Sequence, residues 1–270
     1  SITPSERFSV SATGPGSEAL PRNEENLTVR VFRALFAEAG KALPAVHFHI
    51  ECGIPLERGL GSSAAAVIAG LVGANRLLGS PFSPEELLER ATRWEGHPDN
   101  VAPALFGGLV ASWKEENSES VRMERLPLPI KPGMVLAVPP FTLSTEKARA
   151  AIPRLIPLSD AVFNLGRVTM LTFALTQGRL ELLANALRDR LHEPYRESLV
   201  PGMALVREAA ETAGAWGVVL SGAGPTLLAF CPPDRTEQVA RTMQEAWPGS
   251  RAFPCPIEDA GTCVHIEDEK

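Results

Sequence analysis

Cysteine is scarce in this sequence and poorly spaced for bridging or metal binding. Only Cys52, Cys231, Cys255 and Cys263 occur, and no two stand in a C-x-x-C spacing. Neither a zinc site nor a disulfide framework is therefore expected, and the thiols read as free and mostly buried. Long apolar runs are missing as well. Nothing approaches the roughly 18 uninterrupted apolar residues of a membrane span, and no signal peptide opens the chain. The expectation is a cytoplasmic protein with no membrane association. An excess of positive charge is also lacking: the net charge is −6, which argues against nucleic acid as the main partner. There is no internal repeat or low-complexity tract. Nor is there an initiating methionine, since the chain opens Ser1-Ile2-Thr3, as a processed, trimmed or partial sequence would.

What is present belongs to a globular chain. Hydrophobic residues make up 44% and charged residues 21%, and the length suits one large or two ordinary domains. The 24 prolines and 22 glycines are scattered between periodic segments, so they mark tight connections and not disorder. A weak strand and a loop are expected over residues 1 to 20. A helix follows over Asn26 to Ala39, then a half-buried strand, Val46 to Glu51, with His47 and His49 on its surface face. Ser62 to Leu77 is Ala/Leu/Val-rich and helix-forming. Ser83-Pro84-Glu85-Glu86 is a capping-box start for a helix running to about Trp94.

Beyond a short helical turn at Val101 and a strand at Leu109 to Trp113, the polar stretch Lys114 to Arg125 and the prolines after it read as a linker, with a domain boundary near residue 130. The second half alternates a strand (Met134 to Val138), helices (about 144–152, 159–177, 179–190 and 203–212), two short strands, a helix (about 235–246) and terminal strands at Arg251 to Cys255 and Thr262 to Ile266. That order suits an α+β sandwich with one helical layer.

Chemistry concentrates in three places. Gly59-Leu60-Gly61-Ser62-Ser63-Ala64-Ala65 puts a glycine turn in front of a helix N-terminus, which offers unpaired N–H groups and the positive dipole end to an anion. As a Walker loop it fails, since no lysine follows the second glycine. As a dinucleotide fingerprint it half-matches, but Pro55, Glu57 and Arg58 separate it from the preceding strand and no acid lies at the expected offset. A helix start packed tightly on a neighbour is the plain alternative.

The second place is Glu95-Gly96-His97-Pro98-Asp99-Asn100, which gathers two carboxylates, an imidazole and an amide around a fixed bend. Phosphoryl transfer needs oxygen ligands for Mg²⁺ and groups that hold an alcohol in line. Ser63 and Glu95 suit the first need, and His97, Asp99 and Asn100 the second. The competing reading is that Asp99 or Asn100 caps the following turn. The third place is Ser221-Gly222-Ala223-Gly224-Pro225-Thr226, either a hairpin turn or a backbone wall against a ligand. Arg149 and Arg196 each follow a break, and arginine grips carboxylates bidentately.

In order, Pro55…Arg58-Gly59-Leu60-Gly61-Ser62-Ser63-Ala64-Ala65, Glu95-Gly96-His97-Pro98-Asp99-Asn100-Val101-Ala102-Pro103 and Ser221-Gly222-Ala223-Gly224-Pro225-Thr226 resemble the three-motif signature of the GHMP small-molecule kinases. The segments His97 to Pro103, Ser144 to Arg149 and Glu193-Pro194-Tyr195-Arg196 are closest to the homoserine kinases among them. The ordered trio is more specific than any of its members, and the resemblance extends over nearly the whole chain.

The resemblance implies a two-lobed α+β fold. An N-terminal ATP-binding domain (1–130) would carry the phosphate loop, and a C-terminal ferredoxin-like α/β sandwich (131–270) would follow. It implies ATP and Mg²⁺ as cofactors, with Pro55, Arg58 and Gly59 to Ala65 around the phosphates, Ser63 and Glu95 as metal ligands, and Asn26 and Thr145 at further nucleotide positions. L-homoserine is the implied substrate, held by His97, Asp99, Asn100, Arg149, Arg196, Gly222 and Gly224, with catalytic roles for Ser63, Glu95, Asn100 and Arg149. A homodimer is carried as an expectation. Sister kinases place an aspartate where Asn100 stands. An amide takes no proton at neutral pH, so catalysis here is expected to rest on positioning and electrostatics. The family's opening strand and Asn/Gly-rich motif have no counterpart ahead of Ser1. The alternatives are a GHMP kinase for another small alcohol, an inactive nucleotide-binding protein of the same fold, and a Rossmann oxidoreductase.

Overall fold

A computed structural model describes residues 1–266. The chain forms two compact units. One comprises Ser1–Pro55, Gly61–Leu126 and the segment from Glu258 on, and the other comprises Leu56–Leu60 and Pro127–Ile257.

The first unit runs β1 (Ile2–Pro4), β2 (Ser9–Thr13), α1 (Leu27–Glu38), β3 (Val46–Glu51), α2 (Ser62–Leu77), α3 (Pro84–Glu95), α4 (Val101–Phe106), β4 (Leu109–Lys114) and β5 (Val121–Leu126). β3 is the middle strand of three, antiparallel to β1 and parallel to β2. Its alternation decides what each face does. Val46 and Phe48 are buried, and the Phe48 ring meets Phe32 of α1 edge-on with centroids 4.9 Å apart. The opposite face is polar but not simply surface, as the sequence suggested. His47 and His49 are half-buried, and each ring nitrogen lies 2.8–3.2 Å from a hydroxyl of Ser9, Ser11 or Thr13. Small residues let α2 approach α1: a Cβ added to Gly70 would stand 2.5 Å from the Thr28 carbonyl. Phe32, Leu35, Ile68, Leu71 and Leu88 fill the core.

The second unit runs β6 (Gly133–Val138), α5 (Thr145–Ala150), α6 (Leu158–Thr176), α7 (Leu183–Ala186), α8 (Glu193–Arg196), α9 (Met203–Thr212), β7 (Gly217–Leu220), β8 (Leu227–Cys231), α10 (Thr236–Ala246) and β9 (Arg251–Pro254). The four strands form one antiparallel sheet in the order β7-β8-β6-β9. Val206 of α9 and Val239 and Met243 of α10 pack into the same core as Val135, Leu227 and Ala229 of the strands. The β-α-β-β-α-β succession with this order is the ferredoxin-like sandwich.

Three expected elements come out differently. The polar stretch read as a linker contains β5, which pairs residue for residue with β4 in a hairpin. Arg122 and Glu124, on one face of β5, hid the strand, because one face of a two-stranded ribbon stays in water. The helix expected over 179–190 breaks after Ala186, where the Asp189 carboxylate accepts from the amides of Leu191, His192 and Glu193 at 2.7–3.2 Å and offers the backbone an alternative to helix. Residues 262–266 form no strand. Val264 and Ile266 are exposed, and the segment is tied at Thr262, whose N–H and hydroxyl donate to the carbonyls of Leu105 and Ala104.

Candidate functional site

The start of α2 differs from the other long helix starts of its unit. α1 is capped by Asn26 and α3 by a full Ser83/Glu86 capping box, but α2 begins at Gly61, in the left-handed region, with no side-chain cap. Its first amides, at Ser62, Ser63 and Ala64, therefore keep the unpaired N–H character of a helix N-terminus, and the dipole adds positive potential there. The Ser63 hydroxyl donates to Glu95 at the last turn of α3, so a hydroxyl and a carboxylate 32 residues apart in sequence meet side by side. Among the described residues no group of three or more His, Cys, Asp and Glu side chains could hold a metal. A hydroxyl plus one carboxylate nevertheless fits Mg²⁺, which takes few protein ligands and fills its shell with water and phosphate oxygens.

Past Glu95 the chain turns at Gly96, whose carbonyl accepts from Lys114 Nζ at 2.8 Å. The His97 ring bonds through Nδ1 to Asp99, and Asn100 Nδ2 lies 3.4 Å from the same carboxylate. Asn100 takes the N-cap position of α4 but makes no side-chain cap bond, so capping does not explain the Asp-Asn pair. Its Oδ1 instead lies 3.9 Å from the place a Cβ on Gly61 would occupy. Ser63, Glu95, His97, Asp99 and Asn100 thus belong to the first unit, together with Asn26 and Pro55. Asn26 is spent on structure: its Oδ1 accepts from Thr28 N–H and its Nδ2 donates to the Pro21 carbonyl.

The loop's first half, Leu56–Leu60, belongs to the second unit. Arg58 reaches into it and donates to the carbonyls of Pro139, Pro140 and Phe141. Burial pulls that guanidinium below the ordinary arginine value while Glu57 opposes the shift. Its side chain is a clamp on the loop after β6, leaving main chain for any phosphate. Gly59 backs onto the β7–β8 turn: Ser221 Oγ donates to the Gly59 carbonyl at 2.8 Å. With φ at +72°, a Cβ on Gly59 would stand 2.7 Å from the Gly224 carbonyl and closer still to that of Ser221. The Ser-Gly-Ala-Gly-Pro turn is therefore both a hairpin and a backing for the glycine loop.

Gly59→Ala is expected to cost about 1–3 kcal/mol for the backbone angle and about 1–3 kcal/mol more for the overlap. A urea midpoint shift of that size checks it, and a midpoint at the wild-type value would show that the turn moves aside freely.

Arg196 is the buried cation of the second unit. It is 7% exposed, and it donates from Nε to the Ala148 carbonyl (3.0 Å) and from Nη1 to the Gly222 carbonyl (3.4 Å). Burial lowers its affinity for the proton, Asp189 opposes that, and nearby Arg149 adds to it. Arg149 and Thr145 are exposed on α5, whose first turn Ser144 caps. Sequence reasoning missed the supports of Arg196. Asp189 is half-buried, which raises its pKa, but bonds from His192, Asn164 and two amides outweigh that and hold it far below the usual carboxylate range. Glu193, raised by burial, accepts from Leu220 N–H and from Arg207 Nη2 at 2.8 and 2.7 Å. The available signal was Asp189 standing just ahead of a helix with proline in its first turn.

Residues 26–108 match the family GHMP kinases N terminal domain, and residues 173–249 match GHMP kinases C terminal. With the fold, they define a small-molecule kinase of the GHMP class. A homoserine kinase of Moorella thermoacetica is 46% identical over 255 residues, 94% of this chain and 84% of that protein. One from a Synechococcus strain is 44% identical over 96% of this chain and 86% of its own length. The crystal structure of homoserine kinase from Cytophaga hutchinsonii superposes with a TM-score of 0.85 at 29% identity, covering 96% of this chain and 86% of that one. The chain belongs to the homoserine kinase family. No helix among the described residues is long and apolar enough to cross a membrane.

Proposed function

We propose that the protein transfers the γ-phosphoryl group of ATP to the side-chain hydroxyl of L-homoserine, giving O-phospho-L-homoserine for threonine synthesis in the cytoplasm. The observation that carries this reading is the uncapped start of α2 with the Ser63–Glu95 pair beside it, in a chain about 45% identical to homoserine kinases over nearly all of its length.

The roles follow from chemistry. Amides at Ser62 to Ala64 meet phosphate oxygens without reorganising, since the helix has already oriented them. Ser63 and Glu95 would hold Mg²⁺, which neutralises charge on the phosphates when bound. Asp99 fixes the His97 ring, and His97 and Asn100 orient the alcohol. Asn100 accepts no proton, so the hydroxyl gives up its proton late, when the transferred group is already loosely bonded. Arg149 and Arg196 take the homoserine carboxylate, a charge-assisted pairing that also discriminates against neutral alcohols. An ADP-release assay over homoserine, mevalonate and galactose tests this. Preference for homoserine is expected. Turnover of another alcohol with none of homoserine would overturn the substrate, and ATP binding without turnover of any would mark an inactive nucleotide binder.

A further inference from the structure

α8 is a single helical turn, Glu193–Arg196, too short to hold itself together. The place of Arg196 is therefore decided by what grips α8 from outside. Asp189 fixes its first amides. Arg196 adds two bonds to neutral carbonyls, one of them long at 3.4 Å. The charged grip is made by Glu193, whose side chain is 12% exposed. Its Oε1 accepts from Leu220 N–H at 2.8 Å and its Oε2 from Arg207 Nη2 at 2.7 Å, and charge-assisted bonds of this length are the strong ones. Arg207 of α9 closes the ring by donating from Nε to the Val218 carbonyl at 3.2 Å. β7 is the outer strand of its sheet and pairs with β8 alone, so its other side presents backbone groups that a sheet edge leaves open. The Glu193–Arg207 pair takes up Val218 and Leu220 there and docks α8 against the strand.

We infer that Glu193 is a positioning residue for recognition of the homoserine carboxylate: it holds α8 on β7 so that Arg196, and Arg149 beside the Ala148 carbonyl, meet the carboxylate as one site. This rests on the reading that those two arginines take that group. Three consecutive residues carry the inference. Leu220 is held by Glu193, Ser221 binds the Gly59 carbonyl, and Gly222 is held by Arg196. α8 thus grips the β7–β8 turn on both sides of the residue that backs the glycine loop. Arg196 Nε also holds the Ala148 carbonyl of α5, one residue before Arg149. A shift of α8 therefore disturbs both arginines. It leaves the glycine loop in place, because Ser221 keeps its bonds to Gly59 and Thr226. Arg207 explains why a carboxylate stands at position 193. An amide there satisfies Leu220 N–H or Arg207 but not both, since its second terminal atom is a donor.

Glu193→Gln and Arg207→Met test this in ADP-release kinetics with L-homoserine and with its amide, which keeps the size of the carboxylate and loses its charge. In both variants the KM for homoserine should rise about 10- to 100-fold, as when the partners that orient a ligating side chain are removed. Both kcat and the KM for ATP should stay within about twofold. The double variant should be no worse than the worse single one, since each breaks the same contact. Affinity for the amide, taken as its inhibition constant against homoserine, should change little, so the preference for the charged ligand shrinks. A merely structural pair would weaken ATP, amide and homoserine alike, in step with the thermal midpoint. That outcome, or a homoserine KM unchanged in both variants while Arg196→Leu raises it, would overturn the positioning role and leave the substrate reading intact. A wild type that binds the amide as tightly as homoserine would instead remove the carboxylate reading, and this inference with it.

Discussion

Glu95→Gln is expected to lower kcat by about 10²–10³-fold, the usual loss on removing one electrostatic group from a charge-stabilising site, with the folding midpoint near the wild-type value. The two parts of this expectation have separate causes. Glutamine keeps the length and an acceptor oxygen for the Ser63 hydroxyl, and Glu95 is only partly buried at the end of α3, so little packing is lost. What goes is the negative charge bonded to Ser63 in the first turn of α2. In the proposed reaction that charge would help hold Mg²⁺, so the Mg²⁺ concentration for half-maximal rate should rise along with the fall in kcat. Ser63→Ala, which removes a neutral ligand, should show the same Mg²⁺ shift more weakly. A Glu95→Gln enzyme with wild-type kcat and Mg²⁺ dependence would show that the Ser63–Glu95 bond merely ties α2 to α3.

The elements with strong local signals were legible in the sequence: α2, α3 with its capping box, and the alternation of β3. In each, the pattern of neighbours in sequence already marks the element, even though β3 takes its ladder bonds from β1 and β2. The elements that went astray depend on partners elsewhere. β5 exists because β4 supplies its hydrogen bonds, and Val264 and Ile266 alternate like a strand but have no ladder to join. In the site, residue types were readable and their company was not. Ser221 lies 162 residues from the carbonyl it binds on Gly59, and no local pattern links them. Arg58 stood in a phosphate motif, yet its guanidinium is consumed by three carbonyls after β6. Asp189 drew no notice because a carboxylate in a loop is ordinary until three amides are seen turned toward it.

Arg196→Leu is expected to raise the KM for homoserine by roughly 30- to 5000-fold, the effect of losing about 2–5 kcal/mol from a desolvated charge pair, while the KM for ATP changes little. Binding must be separated from support, because the proposed substrate contact of Arg196 comes on top of the bonds it gives to the Ala148 and Gly222 carbonyls. Leucine removes the proposed partner of the substrate carboxylate, and it also strips the Ala148 and Gly222 carbonyls of a donor and leaves Asp189 without its nearby cation. Some loss of stability is therefore built into the variant. Two comparisons isolate the binding part. Arg196→Lys keeps the charge but not the planar fork, so it should recover much of the stability and little of the homoserine affinity. Arg149→Leu alters an exposed side chain, so it should raise the KM for homoserine with almost no change in thermal midpoint. If the KM values for ATP and homoserine instead climb together in both Arg196 variants, in step with the loss of stability, the buried arginine acts as a strut for the β7–β8 turn. Recognition of the carboxylate would then have to come from Arg149.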